Sequence, residues 1–385
     1  MREVRLTLAG LLAIVGPASA QDCGSALNLG VGCVGLSIGN STRWTGLRLN
    51  FADKRVDRID GVNLTLYKPP KHANDDARYN GLSVGLYPEG GRFTGVTIGI
   101  GAAVAHRRMT GINLAGLALV SEGPVVGINV GGLALVGNDR IRGFNLGGLA
   151  VVAEREVEGI NLGGLAVVSN DRVRGLNVGG LAIVGSGDME GISVGGLAAV
   201  GRGATGLLLG GLAVVADGAL TGVAAGGLAL VATDEVRGLG VGGLAVVAGD
   251  LEGVAVGGLA TVASGDLRGV GVGGLAVVGQ REVTGLAVTL GAVEALERIT
   301  GVAVAGYRVK SPEVRGFSVA GWLKTHDVEG ASIAAFNQLG TQRGLAIGIF
   351  NSADRLHGVQ IGLLNRAGNN RPPFRWLPLL NVHIE

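Results

Sequence analysis

"GINLGGLAVVSNDRVR" fills Gly159 to Arg174, and close copies lie on both sides of it. Counted from the glycine that opens it, a unit reads Gly, aliphatic, Asn or small, aliphatic, Gly, Gly, Leu, Ala, Val, Val, about four polar or small residues, an aliphatic, and a charged residue or Thr. Units open at Gly111, Gly127, Gly143, Gly159, Gly175 and Gly191, then continue at steps of fifteen or sixteen through Gly285. Apolar residues at positions two and four alternate with a small or polar one at three, the period of a β-strand. The glycine pair at five and six breaks or bends that strand, because glycine accepts backbone angles and close approaches that other residues refuse. Leu and Val at seven and nine resume the alternation, and the polar stretch supplies a turn. The fifteen-residue units lose their missing residue in that stretch, where deletions belong.

Two folds bury such units. In a parallel β-solenoid each unit is one coil, and each position stacks on its equivalent about 4.8 Å away. In an antiparallel transmembrane β-barrel each unit is one strand, and neighbours run in opposite directions. Charge decides between them. Position sixteen runs Arg142, Glu158, Arg174, Glu190, and position fourteen runs Arg140, Glu156, Arg172, Asp188. Alternating sign is favourable where equivalent residues are adjacent; in a barrel they would sit at opposite rims. Position three adds an amide row, Asn113, Asn129, Asn145, Asn161 and Asn177, then Ser193, and amides stacked in register bond to one another. Between Pro124 and Tyr307 the sole aromatic residue is Phe144, whereas membrane barrels carry aromatic girdles. The expected fold is therefore all-β, a parallel solenoid of about 16-residue coils, with the barrel and its membrane association as the alternative.

Four regions follow. Residues 1–20, "MREVRLTLAGLLAIVGPASA", have a basic start, an apolar stretch and small residues at Ala18 and Ala20, the pattern of a secretory signal. Residues 21–110 carry irregular repeats and an amino-terminal cap, 111–300 the regular array, and 301–385 degenerate units and a carboxy-terminal cap. The long "LYKPPKHANDDARYN" stretch and the final "NNRPPFRWLPLLNVHIE" are expected to cover the open sheet ends, with Trp44, Trp322 and Trp376 packing there. Cys23 and Cys33 are the only cysteines of the chain, and an exported protein permits a disulfide between them.

Composition excludes several functions. Gly and Pro together make 82 of 385 residues, below the roughly 25–30% of low-complexity chains, and 47% of the chain is hydrophobic, so it folds. Without residues 1–20 the chain has 30 basic and 29 acidic residues, a balance that argues against nucleic acid as a partner. "GLGVGG" at Gly238–Gly243 and "GVGVGG" at Gly269–Gly274 match a dinucleotide fingerprint, but that motif needs a helix after its strand, and here the repeat itself generates the glycines. Asp139, Asp171, Asp188, Asp234, Asp250 and Asp266 recur in the turns and read as turn residues. The histidines His72, His106, His326, His357 and His383 show no metal-ligand spacing and read as surface or cap positions. No catalytic residue, cofactor or metal is assigned. A carbohydrate-active solenoid would need an acidic cleft built by Asp53 to Arg108 against the coils.

The last units sharpen to "GLAIGIFN" at Gly344–Asn351 and "GVQIGLLN" at Gly358–Asn365, followed by "RWLPLLNVHI", with Asn337, Asn351 and Asn365 every fourteen residues. This resembles a family of bacterial surface repeat proteins with Gly-aliphatic-Gln-Ile-Gly-Leu-aliphatic-Asn units, which often close on a Leu-Pro-aliphatic-aliphatic-Asn segment. The resemblance implies an exported, surface-associated repeat protein and supplies no catalytic residues. Sequence alone thus leads to a non-enzymatic structural or interaction scaffold at the bacterial cell surface, outer membrane or periplasm, with an envelope partner that the sequence does not identify.

Overall fold

A computed structural model describes residues 23–70 and 72–384; the expected signal, 1–20, lies outside them. The chain divides into two compact units, Met1–Glu154 and Arg155–Glu385, and the described residues of each form a stack of parallel β-coils. The fold is the all-β parallel solenoid expected, with coils of about sixteen residues.

A regular coil consists of a long strand, a two-residue corner, a four-residue strand and a polar turn. Arg172–Gly179 and Ala182–Gly185 are one example. Each strand pairs in parallel with its equivalent in the next coil: Gly159 opposite Gly175, Asn161 opposite Asn177, Glu158 opposite Arg174. Equivalent positions are therefore neighbours, and the antiparallel barrel is not the fold. In the last coils, which lack the glycine pair, the corners no longer interrupt the ladder, and one continuous strand, Glu313–Ala367, winds through them.

Glycine is needed at two places in the coil for different reasons. At position one it bends the long strand with φ between +98° and +122° in the coils from Gly175 to Gly301, a region closed to L side chains. A Cβ on Gly175 would also strike the carbonyl oxygen of Gly159 one coil back. At the corner, by contrast, Gly180 has no positive φ, but a Cβ there would strike the carbonyl oxygen of Gly164. The bend at position one is not evident from the alternation, which marks only the corner.

The interior is narrow and fully occupied. Positions three, nine and fifteen point inward: Asn177, Ile183 and Val173 are all 0% exposed. Alternation gives no sign of which face turns in, and the structure turns the aliphatic residues at position two outward. Large and small residues exchange places along the rows. Where position three is Leu208, the flanking inward positions carry Ala199 and Ala204. Where it is Ala224, Gly240, Ala255 or Gly271, they carry Leu220, Leu230, Leu251 and Leu267. Conserving volume in this way keeps the core close-packed without fixing any one residue.

Each unit closes one end with an antiparallel strand. In the first, Gly24–Val31 folds back on Val34–Ser41, and a Cys23–Cys33 disulfide with Cα atoms 5.7 Å apart ties the hairpin. In the second, Trp376–His383 folds back on Gly358–Arg366. The "LYKPPKHANDDARYN" stretch is not an end cap; it leaves the coils between the strands Arg58–Tyr67 and Arg78–Gly85. Asn74 anchors it, donating to the Asp53 carbonyl at 3.1 Å and accepting from the Val56 amide at 3.0 Å.

Two glycine substitutions should separate backbone from volume. Gly206→Ala meets a φ of +122° and should lower stability by at least about 1–3 kcal/mol. Gly240→Ala meets side chains and no backbone, Leu230 Cδ2 at 2.7 Å and Val236 Cγ1 at 3.2 Å, and its neighbours in register are Ala224 and Ala255; with no positive φ to strain it, it should change stability by less than about 1 kcal/mol. Urea unfolding followed by circular dichroism compares them, and equal effects would contradict the glycine-column account.

Candidate functional site

The amide row lies inside the solenoid. In the first unit Asn113 Nδ2 donates to Asn129 Oδ1 at 2.8 Å, and Asn129 to Asn145 at 2.8 Å. In the second, Asn161 donates to Asn177 at 2.7 Å, and Asn177 to the Ser193 hydroxyl at 3.3 Å. All these residues are at most 1% exposed, so the row is part of the core and does not face a ligand. A second row, Asn337 to Asn351 to Asn365, repeats the device with bonds of 2.7 Å.

The polar column at position three extends to the amino-terminal end of the first unit, where the repeat pattern holds no sign of its chemistry. Arg48 pairs in register with Asn63, Asn63 with Ser83, and Ser83 with Thr97. Arg48 is fully buried, and its guanidinium meets Asp53 at 2.5 Å, Asn63 at 2.7 Å and Ser41 at 3.0 Å. Asp53 also accepts from Asn50 at 2.8 Å and from the Tyr79 hydroxyl at 3.0 Å. Burial alone would push the Asp53 carboxyl up, but the Arg48 charge and these hydrogen bonds hold it below the ordinary carboxylate range. Burial and the same carboxylate push the Tyr79 phenol well up.

The charged ladder lies on the surface. Arg174 reaches Glu190 at 3.1 Å and Glu156 at 3.2 Å, and Arg237 reaches Glu252 at 2.9 Å. Arg142 occupies the equivalent position in the first unit, opposite Val126. Such exposed pairs contribute about 0–1 kcal/mol each and serve register more than stability. Among the turn aspartates, Asp250 accepts the Asp266 amide at 2.7 Å, a turn role. Both dinucleotide-like glycine runs fall on strands, Glu235–Gly242 and Leu267–Gly273, and the corners that follow them.

The outward positions form an apolar wall. In the second unit Leu165, Leu181, Leu197, Leu212, Leu228, Leu244 and Leu259, all at position seven, are each 45–47% exposed. Ile160, Leu176, Ile192 and Leu239 at position two are 37–44% exposed. Counted from the opening glycines, Trp322, Phe336 and Phe350 continue position seven in the tighter coils. With Asn337, Gln338 and Ser352 they line a groove of about 440 Å³. Trp322 and Trp376 are thus 37% and 47% exposed rather than packed into a cap, and only Trp44 is buried, its indole donating to the Gly35 carbonyl at 3.0 Å.

One cluster of titratable groups joins residues far apart in sequence. His106 Nε2 lies 3.4 Å from both Asp75 Oδ1 and Glu89 Oε1, and its Nδ1 lies 3.1 Å from Glu122 Oε1. Burial works against the charged imidazole, but the Glu122 hydrogen bond and the Asp75 and Glu89 carboxylates outweigh it and raise its pKa above the ordinary value. Sequence spacing misses the group because its ligand interval is the coil: Glu89, His106 and Glu122 are seventeen and sixteen residues apart. The acidic residues of the Asp53–Arg108 stretch thus fall in two separate groups, Asp53 against Arg48 and Asp75 with Glu89 against His106.

No known protein family, curated protein or solved structure matches the chain.

Removing the Arg48 charge leaves Asp53 buried without a counter-ion, so Arg48→Met should cost about 3–5 kcal/mol at neutral pH. In the parent the folded pKa of Asp53 lies below its unfolded value of about 3.9. Its contribution is therefore present above that value and is lost as pH falls through the folded pKa. In the variant the uncompensated carboxyl titrates above the unfolded value, so the deficit should shrink as acid protonates it. Urea unfolding of both proteins from pH 7 down to about pH 3.5 reads this, and a deficit that grows in acid would contradict it.

Proposed function

We propose that the protein is an exported, non-enzymatic scaffold of the bacterial cell surface or envelope that binds its partner through the apolar wall. The observation that carries this reading is the uniform exposure of the position-seven leucines, repeated coil after coil in the second unit. Scattered surface leucines need no explanation, but a contiguous apolar face on a soluble protein marks a contact surface. The interior is taken up by packed side chains and amide ladders, so the surface is where binding chemistry is available. Edge-to-edge growth is restrained, because each unit covers one of its ends with a single eight-residue antiparallel strand. Two further features support the reading: the signal-like sequence of residues 1–20, and the resemblance of the carboxy-terminal units to surface repeat proteins.

Fractionation of producing cells tests the proposal. The mature chain should start at Gln21 and sediment with the envelope. The triple variant Leu181→Asp, Leu197→Asp, Leu212→Asp, which changes outward positions only, should keep its β circular dichroism and move to the soluble fraction. A cytoplasmic chain that retains its amino-terminal methionine would overturn export; a folded triple variant that still sediments with the envelope would overturn the wall as the binding surface.

A further inference from the structure

We infer that His106, Asp75 and Glu89 form a binding site for a divalent transition-metal ion of the zinc type, which clamps the Lys68–Ala77 stretch to the coils of the first unit. The inference is independent of the scaffold proposal.

The coil geometry builds the site. Glu89 and His106 lie on the neighbouring strands Glu89–Gly99 and Ala102–Ala115, whose register shifts between Gly90 and Arg92. Gly91, inside that irregularity, lets the long loop approach, for a Cβ there would strike the Asp75 carbonyl. Asp75 is thereby laid beside Glu89, and one coil further on the Glu122 amide bonds to the Ala105 carbonyl at 2.9 Å, which brings its carboxylate to the far side of the His106 ring.

Three features point to a metal ion rather than a simple ion pair. First, the 3.4 Å separations of His106 Nε2 from Asp75 Oδ1 and Glu89 Oε1 exceed the ~2.7–2.9 Å of a charge-assisted hydrogen bond. They match the edge of a tetrahedron whose bonds are ~2.0–2.1 Å, near 3.4 Å. Second, Asp75 Oδ1 is buried and has no hydrogen-bond partner, and Glu89 is only 8% exposed, so two carboxylate oxygens face the same point with little solvent to satisfy them. Third, Glu122 holds Nδ1 of His106 at 3.1 Å, the carboxylate–histidine arrangement that leaves Nε2 free to ligate. The three ligand atoms lie within 4.8 Å of one another, so a small movement of the loop carboxylate closes the set.

The charge around the ring favours a cation. Asp75, Glu89 and Glu122 face it; His72 stands at the rim with its ring centroid 6.3 Å away and its Nδ1 3.0 Å from Asp75 Oδ2. Arg107 is turned to Asp76. An imidazole with two carboxylates suits zinc and its first-row neighbours rather than calcium or magnesium, which take oxygen ligands. Three protein ligands leave the fourth position to water.

Isothermal titration of the tag-free, chelator-stripped full chain with zinc chloride and with calcium chloride tests the inference, together with the visible spectrum of the cobalt(II) form. One zinc ion should bind per chain with micromolar affinity or tighter, calcium should give no heat, and cobalt should give a tetrahedral spectrum. His106→Gln should abolish that binding and the spectrum. Asp75→Asn, on the partly exposed loop, should weaken binding without unfolding the coils, and Glu122→Gln should weaken it about 10- to 100-fold. No zinc uptake by the parent chain, or a stoichiometric site that survives His106→Gln or is unaffected by Asp75→Asn, would overturn the inference.

Discussion

The close stacking of one coil's opening glycine on the next is the constraint from which the rest of this structure follows. At Gly175 the backbone takes a positive φ, and the space where a Cβ would stand is occupied by the carbonyl oxygen of Gly159. The parallel ladder can be this tight only where that column stays free of side chains. Once it is, each coil is held in register with its neighbours, and every other position becomes a row of near-identical environments. The amide rows, the charge alternation and the outward leucines all follow from that single registration.

A row of equivalent sites relaxes the demand on any one residue and raises the demand on the set. Position three can be Asn, Ser, Leu, Ala or Gly because inward neighbours such as Ala204 or Leu267 take up the volume difference. A polar choice is harder to accommodate. A buried amide is stable when the coil beside it offers a partner, as Asn161 and Asn177 do for one another; an unpaired one would carry its full desolvation penalty. Arg48 is the extreme member of the column. It is tolerated because Asp53, Asn63 and Ser41 together satisfy its guanidinium.

Chemistry in such an array is built across coils. Glu89, His106 and Glu122 come from successive coils, and Asp75 reaches them from a loop that departs from the repeat and is received at Gly91. Motif spacings drawn from helices and short loops do not register such a group. The relevant interval is the length of a coil, and the informative feature is a break in the repeat that brings a foreign side chain against it. The same logic explains Trp322, Phe336 and Phe350, which look like scattered aromatics in sequence and form one surface once the coil length is the unit of counting.

The solenoid was legible in the chain as the favoured of two folds. The fifteen- and sixteen-residue period, the glycine pair before "GLA" and the sign alternation through Glu158, Arg174 and Glu190 favour it over the antiparallel barrel, because adjacent coils of a solenoid match position for position and the charges record which positions touch; the parallel pairing of Glu158 with Arg174 excludes the barrel. The sequence also marked as stacked ladders the amides that bond within each unit, Asn113 to Asn145 and Asn161 to Asn177. Which face of each strand points inward, and what meets where the repeat fails, came only with the folded coil. Alternation is symmetric between the two faces of a strand, so nothing in "GINLG" says that Asn161 is buried and Ile160 exposed; the narrowness of the coil interior settles it. Contacts among Asp75, Glu89 and His106, or between Arg48 and Asp53, depend on the path of irregular loops, and that path follows from packing against the finished coil rather than from any local pattern in the chain.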